Sequence, residues 1–105
     1  VTPTIAEGIA SSKPTRVVEA LRAVRDSGGR IVAVTEAEIV AALGALARKG
    51  LYVEPTSAAG GAGLTQLLAS GAIKPSERTV LVLTGTGLKA SEKIGELLNL
   101  KARGE

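Results

Sequence analysis

Val80-Leu81-Val82-Leu83-Thr84-Gly85-Thr86-Gly87-Leu88-Lys89 joins an unbroken apolar run to a threonine and two glycines, with no bulky side chain between Leu83 and Leu88. A short apolar run closed by glycine reads as a buried strand. On this reading the strand delivers one hydroxyl, that of Thr84, to a place where backbone and a flat ligand approach closely. A second run, Ile31-Val32-Ala33-Val34, has the same character.

Between and around these runs the spacing is helical. Val17, Val18, Leu21 and Val24 recur at helical intervals, and Gly28-Gly29 offers the left-handed conformation that ends a helix. Thr35 and Glu38 form a Thr-x-x-Glu capping box ahead of Ile39, Val40, Leu43, Leu46 and Ala47, with Gly50 as the stop. Leu51-Tyr52-Val53 is a short extended piece. Pro55 then suits the first turn of a third helix, where its missing N–H costs nothing. That helix opens with small residues only, Ser57 through Gly63, before Leu64, Leu67 and Leu68, and Gly71 closes it. Each glycine there costs roughly 1 kcal/mol relative to alanine, so close approach of another surface is expected. Ser91 is the expected cap of a last helix carrying Ile94, Leu97 and Leu98.

Helices alternating with apolar runs predict an α/β protein, a three-layer arrangement around a small parallel sheet, with residues 1–105 forming a single domain. In such sheets ligands gather beyond the carboxyl ends of the strands. That rule directs attention to Thr35, Glu54 and Thr84 through Gly87.

Composition removes several chemistries. The chain has no Cys, His, Met, Phe or Trp and a single aromatic residue, Tyr52. A thiol nucleophile, a Ser-His dyad, a disulfide framework and a zinc finger are all excluded. The net charge of +3 is small and dispersed, and no set of aromatics could stack bases, so nucleic acid is not an expected partner. No apolar stretch is long enough to cross a membrane and no signal peptide is visible, which predicts a cytoplasmic protein.

Four blocks occur in order: Thr4–Ala10 (TIAEGIA), Ile31–Ile39 (IVAVTEAEI), Val53–Ala59 (VEPTSAA) and Leu81–Lys89 (LVLTGTGLK). Together they closely resemble the C-terminal part of the threonine synthase family, pyridoxal-phosphate enzymes of the tryptophan-synthase-β-like fold (fold type II). The resemblance runs from about Thr2 to about Leu98. It implies that the complete enzyme converts O-phosphohomoserine and water to threonine and phosphate. It also implies cofactor-binding roles for Thr84, Gly85, Gly87 and Glu54. The Thr84 hydroxyl would meet the pyridine nitrogen, the two glycines would let backbone pass the ring edge, and Glu54 would lie near the ring.

The motif carrying the Schiff-base lysine and the glycine-rich phosphate loop belong upstream in that family, and neither occurs in this sequence. Lys13, Lys49, Lys74, Lys89, Lys93 and Lys101 fall at expected turns, helix ends or exposed faces. No catalytic residue and no metal ligand is therefore assigned here. The chain alone is expected to be inactive and to bind no cofactor, the small-molecule substrate being a matter for the full-length enzyme. With the upstream part removed, uncovered apolar surface would favour self-association as a dimer or larger. Two other readings stand beside this one: a stand-alone binding or oligomerisation module, and a segment of a threonine or serine dehydratase-like enzyme.

Plainer roles are available for single residues. Thr84 to Gly87 could be a turn, Glu54 could serve the positive end of a helix, and Ser57 reads as a helix-start residue.

Overall fold

The computed structural model describes residues 3–97, the side chain of Lys89 excepted. Four α-helices occupy most of it: α1 (Val17–Ser27), α2 (Glu36–Arg48), α3 (Pro55–Ala69) and α4 (Ser91–Leu97). Two short 3-10 turns, Glu7–Ile9 and Gly87–Ala90, complete the elements. The expected positions of Leu98 and of the tail from Lys101 lie outside the described residues.

Local signals place the helix ends. Gly28 follows α1 at φ 69°, and its N–H reaches back to the carbonyls of Val24 and Arg25. The capping box of α2 is formed reciprocally: the Glu38 N–H donates to Thr35 Oγ1 at 3.1 Å, and the Thr35 N–H donates to Glu38 Oε1 at 3.0 Å. Gly50 and Gly71, both at positive φ, end the paths of α2 and α3. Pro55 is the first residue of α3. Ser91 departs from expectation. It already has helical backbone angles, and its hydroxyl donates to the carbonyls of Gly87 and Leu88 instead of capping α4.

The core is a helix pair with small additions. Ile39, Ala42 and Leu43 of α2 meet Ala58 and Ala62 of α3, while Val53, Ile94 and Ala6 close the cluster. Leu43 and Ile94 are each 2% exposed. The glycines of α3 allow this approach, because a Cβ on Gly61 would sit 3.4 Å from the Ala42 Cβ. On other sides, a Cβ on Gly60 would lie 3.0 Å from Leu81 and one on Gly63 would lie 3.7 Å from Val32. The small-residue run of α3 thus has a physical cause: α2 and two extended segments all press against it.

The parallel sheet does not form, and the α/β expectation is corrected to a helical architecture. Among the described residues there is no strand, and the only bridge is an isolated antiparallel one between Val53 and Thr86. The two apolar runs are extended and alternate as strands do. Val32, Val34, Leu81 and Leu83 are half-buried, while Ile31, Ala33, Val80 and Val82 are exposed. Strand structure, however, consists of ladder hydrogen bonds between backbones about 4.8 Å apart. Residues 31–34 and 79–83 make no backbone–backbone bond to another described residue. Each packs separately on α3, and together with that helix they border one apolar groove of about 550 Å³. Apolar alternation recorded which side faces α3; it did not supply a neighbour.

α1 stands apart from the core. It has no buried residue, and Val17, Val18 and Leu21 remain exposed along one stripe.

Candidate functional site

The segment after Leu83 is held to the start of α3 from both sides. On one side the Val53–Thr86 bridge ties the chains: the Glu54 N–H donates to the Gly85 carbonyl at 3.2 Å and the Gly87 N–H donates to the Tyr52 carbonyl at 3.1 Å. On the other side stands Ser57, in the first turn of α3 and only 3% exposed. Its Oγ accepts the Thr84 N–H at 2.7 Å and the Gly85 N–H at 3.0 Å. The same oxygen lies 2.8 Å from Thr84 Oγ1.

Thr84 therefore sits at the lip of the apolar groove, whose walls include Val34, Ala59, Gly60, Leu81 and Val82. Its hydroxyl bonds to Ser57 and, among the described residues, to no acceptor besides. A buried serine thus holds the Thr84 hydroxyl beside small, apolar walls.

The four residues expected at a cofactor are brought within one short stretch of structure, but they do not all open on one space. Thr84 lines the groove along α3. Glu54 lines a second, more polar hollow of about 540 Å³ with Glu7, Thr56, Glu92, Lys93 and Glu96. The room left by the glycines is filled from within the chain. A Cβ on Gly85 would meet the Glu54 carboxylate at 2.2 Å, and one on Gly87 would meet the Tyr52 ring at 2.8 Å and Ile94 at 2.9 Å. Of the other positions marked by the sheet rule, Thr35 is committed to its capping box.

The polar hollow is bordered by the N-terminal segment, which is pinned at two points. The Gly8 N–H donates to Thr56 Oγ1 at 3.0 Å. Glu36 accepts the Thr4 hydroxyl and, at 2.9 Å, the Ile5 N–H. Those two donors, the Thr4 hydroxyl first, hold the Glu36 carboxyl below the usual range. Glu38 is likewise lowered, first by the Thr35 N–H and then by the Thr35 hydroxyl. Lys93 pairs with Glu7 at 3.5 Å across the hollow. Lys13, Lys49 and Lys74 are exposed.

Sequence reasoning missed Ser57 as the holder of Thr84. A signal was present: Ser57 is the first residue of a run that is otherwise alanine and glycine. Its depth, and the 27-residue separation from Thr84, become visible only in three dimensions. Tyr52 was also missed; its ring covers Gly87 and its hydroxyl donates to Ser91 Oγ at 2.7 Å.

Residues 1–85 match the family described as "Pyridoxal-phosphate dependent enzyme", and the chain belongs to that family. Among individual relatives, it is 49% identical over 87 residues to threonine synthase of Methanocaldococcus jannaschii, covering 82% of this chain and 22% of that protein. Threonine synthase of Halalkalibacterium halodurans is 46% identical over 87 residues, covering 82% and 25% respectively. That of Mycobacterium leprae is 40% identical over the same length, covering 82% and 24%. The chain thus spans about a quarter of the length of the curated relatives it matches.

The residues present can be tested against the cofactor that the family name implies. The pyridine ring of pyridoxal phosphate is flat, apolar on its faces, and carries one nitrogen with a lone pair. Thr84 offers one hydroxyl, 2.8 Å from Ser57 Oγ, at the edge of small apolar walls. The donor set fits the nitrogen edge of that ring. Among the described residues no group of His, Cys, Asp and Glu is arranged to hold a metal.

Proposed function

We propose that this chain is the C-terminal segment of a threonine-synthase-like enzyme and forms one wall of its pyridoxal-phosphate site. The observation that carries the proposal is the Thr84 hydroxyl, held 2.8 Å from the buried Ser57 Oγ at the lip of the groove. The likeness to three threonine synthases at 40–49% identity supports the substrate class.

When bound, pyridoxal phosphate supplies an electron sink for carbon–hydrogen and carbon–heteroatom cleavage. The contribution of this chain is to orient it and set its strength. Thr84 donates a neutral hydrogen bond to the ring nitrogen. Unlike a carboxylate, a hydroxyl does not hold a full positive charge there, and the milder sink suits elimination and replacement at the β or γ carbon. Gly85 keeps its backbone close by accommodating the Glu54 carboxylate overhead. The complete enzyme then converts O-phosphohomoserine and water to threonine and phosphate, with the cofactor-bearing lysine and the phosphate cradle supplied by the rest of the polypeptide. This chain by itself is inactive in that reading. A cytoplasmic location belongs to the same proposal; among the described residues no helix is long and apolar enough to cross a membrane.

The test is the full-length protein assayed for phosphate release from O-phosphohomoserine, beside Thr84→Val. Wild type should form threonine, and the valine variant should lose most of kcat while retaining its fold by circular dichroism. Deamination of threonine or serine in place of phosphate release would instead identify a dehydratase-like enzyme. Unchanged kcat in Thr84→Val would remove Thr84 from the site.

A further inference from the structure

Ser57 has a single proton and two lone pairs, and its surroundings use all three. A serine hydroxyl can accept two hydrogen bonds and donate one. The Thr84 and Gly85 N–H groups donate to Ser57 Oγ at 2.7 and 3.0 Å, and backbone N–H groups have no other role available. Both lone pairs are then occupied. The remaining contact, 2.8 Å to Thr84 Oγ1, must be made with the serine's own proton. The direction of the Ser57–Thr84 bond is settled by valence, although the two oxygens alone would allow either.

The consequence falls on Thr84. Its oxygen accepts from Ser57, so its proton points elsewhere, and among the described residues nothing takes it. We infer that Ser57 is a positioning residue: it fixes the polarity of the Thr84 hydroxyl, making it an outward donor matched to an unprotonated ring nitrogen. This rests on the reading of Thr84 as the group that meets that nitrogen. Burial strengthens the effect. Ser57 is 3% exposed, so water cannot readily replace it as donor or scramble the direction of the bond. The two backbone bonds also lock the serine rotamer, so the orientation is built into the start of α3 before any ligand arrives. Helix-start chemistry alone does not require it, because a serine serving its own helix bonds to N–H groups of that helix. The bonds of Ser57 go to residues 27 and 28 positions away.

The experiment uses the full-length enzyme loaded with pyridoxal phosphate labelled with 15N at the ring nitrogen, and reads the chemical shift of that nitrogen at saturating cofactor. Wild type should show an unprotonated nitrogen accepting a hydrogen bond. Ser57→Ala should move the signal downfield, toward an unbonded nitrogen, and raise the cofactor Kd about tenfold. Ser57→Thr, which keeps an oxygen and a proton in place, should restore both. A serine that merely supports the fold would change stability and leave the shift alone, so an unmoved signal in Ser57→Ala overturns the proposal. Thr84→Val separates the two layers. If it also leaves the shift unmoved, the reading of Thr84 fails first; if it moves the shift and Ser57→Ala does not, only the role of Ser57 fails. Should Ser57→Ala not fold, the wild type decides. A one-bond 1H–15N splitting at the ring nitrogen overturns the inference, and a deuterium isotope shift without that splitting supports it.

Discussion

Gly85 and Gly87 each stand where an added methyl meets a neighbour at under 3 Å, but the neighbours differ in kind. At Gly85 the obstacle is the end of the Glu54 side chain, which can swing toward the polar hollow. At Gly87 it is the Tyr52 ring together with the buried Ile94, and the ring is tethered through its hydroxyl to Ser91. Overpacking of a fixed neighbour costs roughly 1–3 kcal/mol. Gly87→Ala should therefore lower the unfolding free energy measured by urea titration by an amount in that range, and Gly85→Ala should cost clearly less while displacing Glu54. The reverse order would mean that Tyr52 yields and Glu54 does not. Legibility at this scale was uneven. Thr84 announced itself by ending an apolar run in glycine, whereas Ser57 looked like one more small residue. The difference is that a turn leaves a mark in neighbouring sequence, and a hydrogen bond across 27 positions leaves none.

At the scale of elements, helices were readable because their determinants are local. The capping box of α2, the glycines after α1, α2 and α3, and Pro55 at the first position of α3 all act within a few residues. Thr35→Ala should cost about 1 kcal/mol, measured by denaturant unfolding, because it removes one half of that box. Acid should probe the same contacts. The Glu36 and Glu38 carboxyls are held below their ordinary range by hydrogen bonds made in the folded state. Groups depressed in this way stabilise the fold above the unfolded-state value and lose that contribution as pH falls through the lower, folded value. Stability should accordingly be flat near neutrality and decline below about pH 4.3, the usual glutamate value. The decline should be shallower in Glu36→Gln. An identical acid limb in that variant would show that the Thr4 and Ile5 contacts do not form in solution. Strands behaved differently. Residues 31–34 and 79–83 carry the right alternation, yet alternation describes one face of a strand and says nothing about its edges.

At the scale of the molecule, apolar surface is left uncovered. Val80 and Val82 are 84% and 70% exposed, Ile31 is 68% exposed, and the stripe of α1 packs on no core residue. Isolated exposed residues are ordinary, but several apolar faces left open on one small chain are a drive to associate. We propose that this chain self-associates when separated from the rest of its polypeptide. Sedimentation velocity should show species larger than the monomer as concentration rises, and Val80→Lys with Val82→Lys should return it to monomer. A single monomeric species at high concentration would count against the idea.

By itself the sequence determined the helices, the capping box of α2, the glycine stops and the family, since each depends on short-range pattern or on runs of identity. It also marked Thr84 as the hydroxyl to watch. Only the tertiary structure decided that the two apolar runs lie separately against α3, because pairing depends on which backbone stands within reach. It alone showed that Ser57 faces Thr84. The direction of that bond then followed from one oxygen having two lone pairs and a single proton.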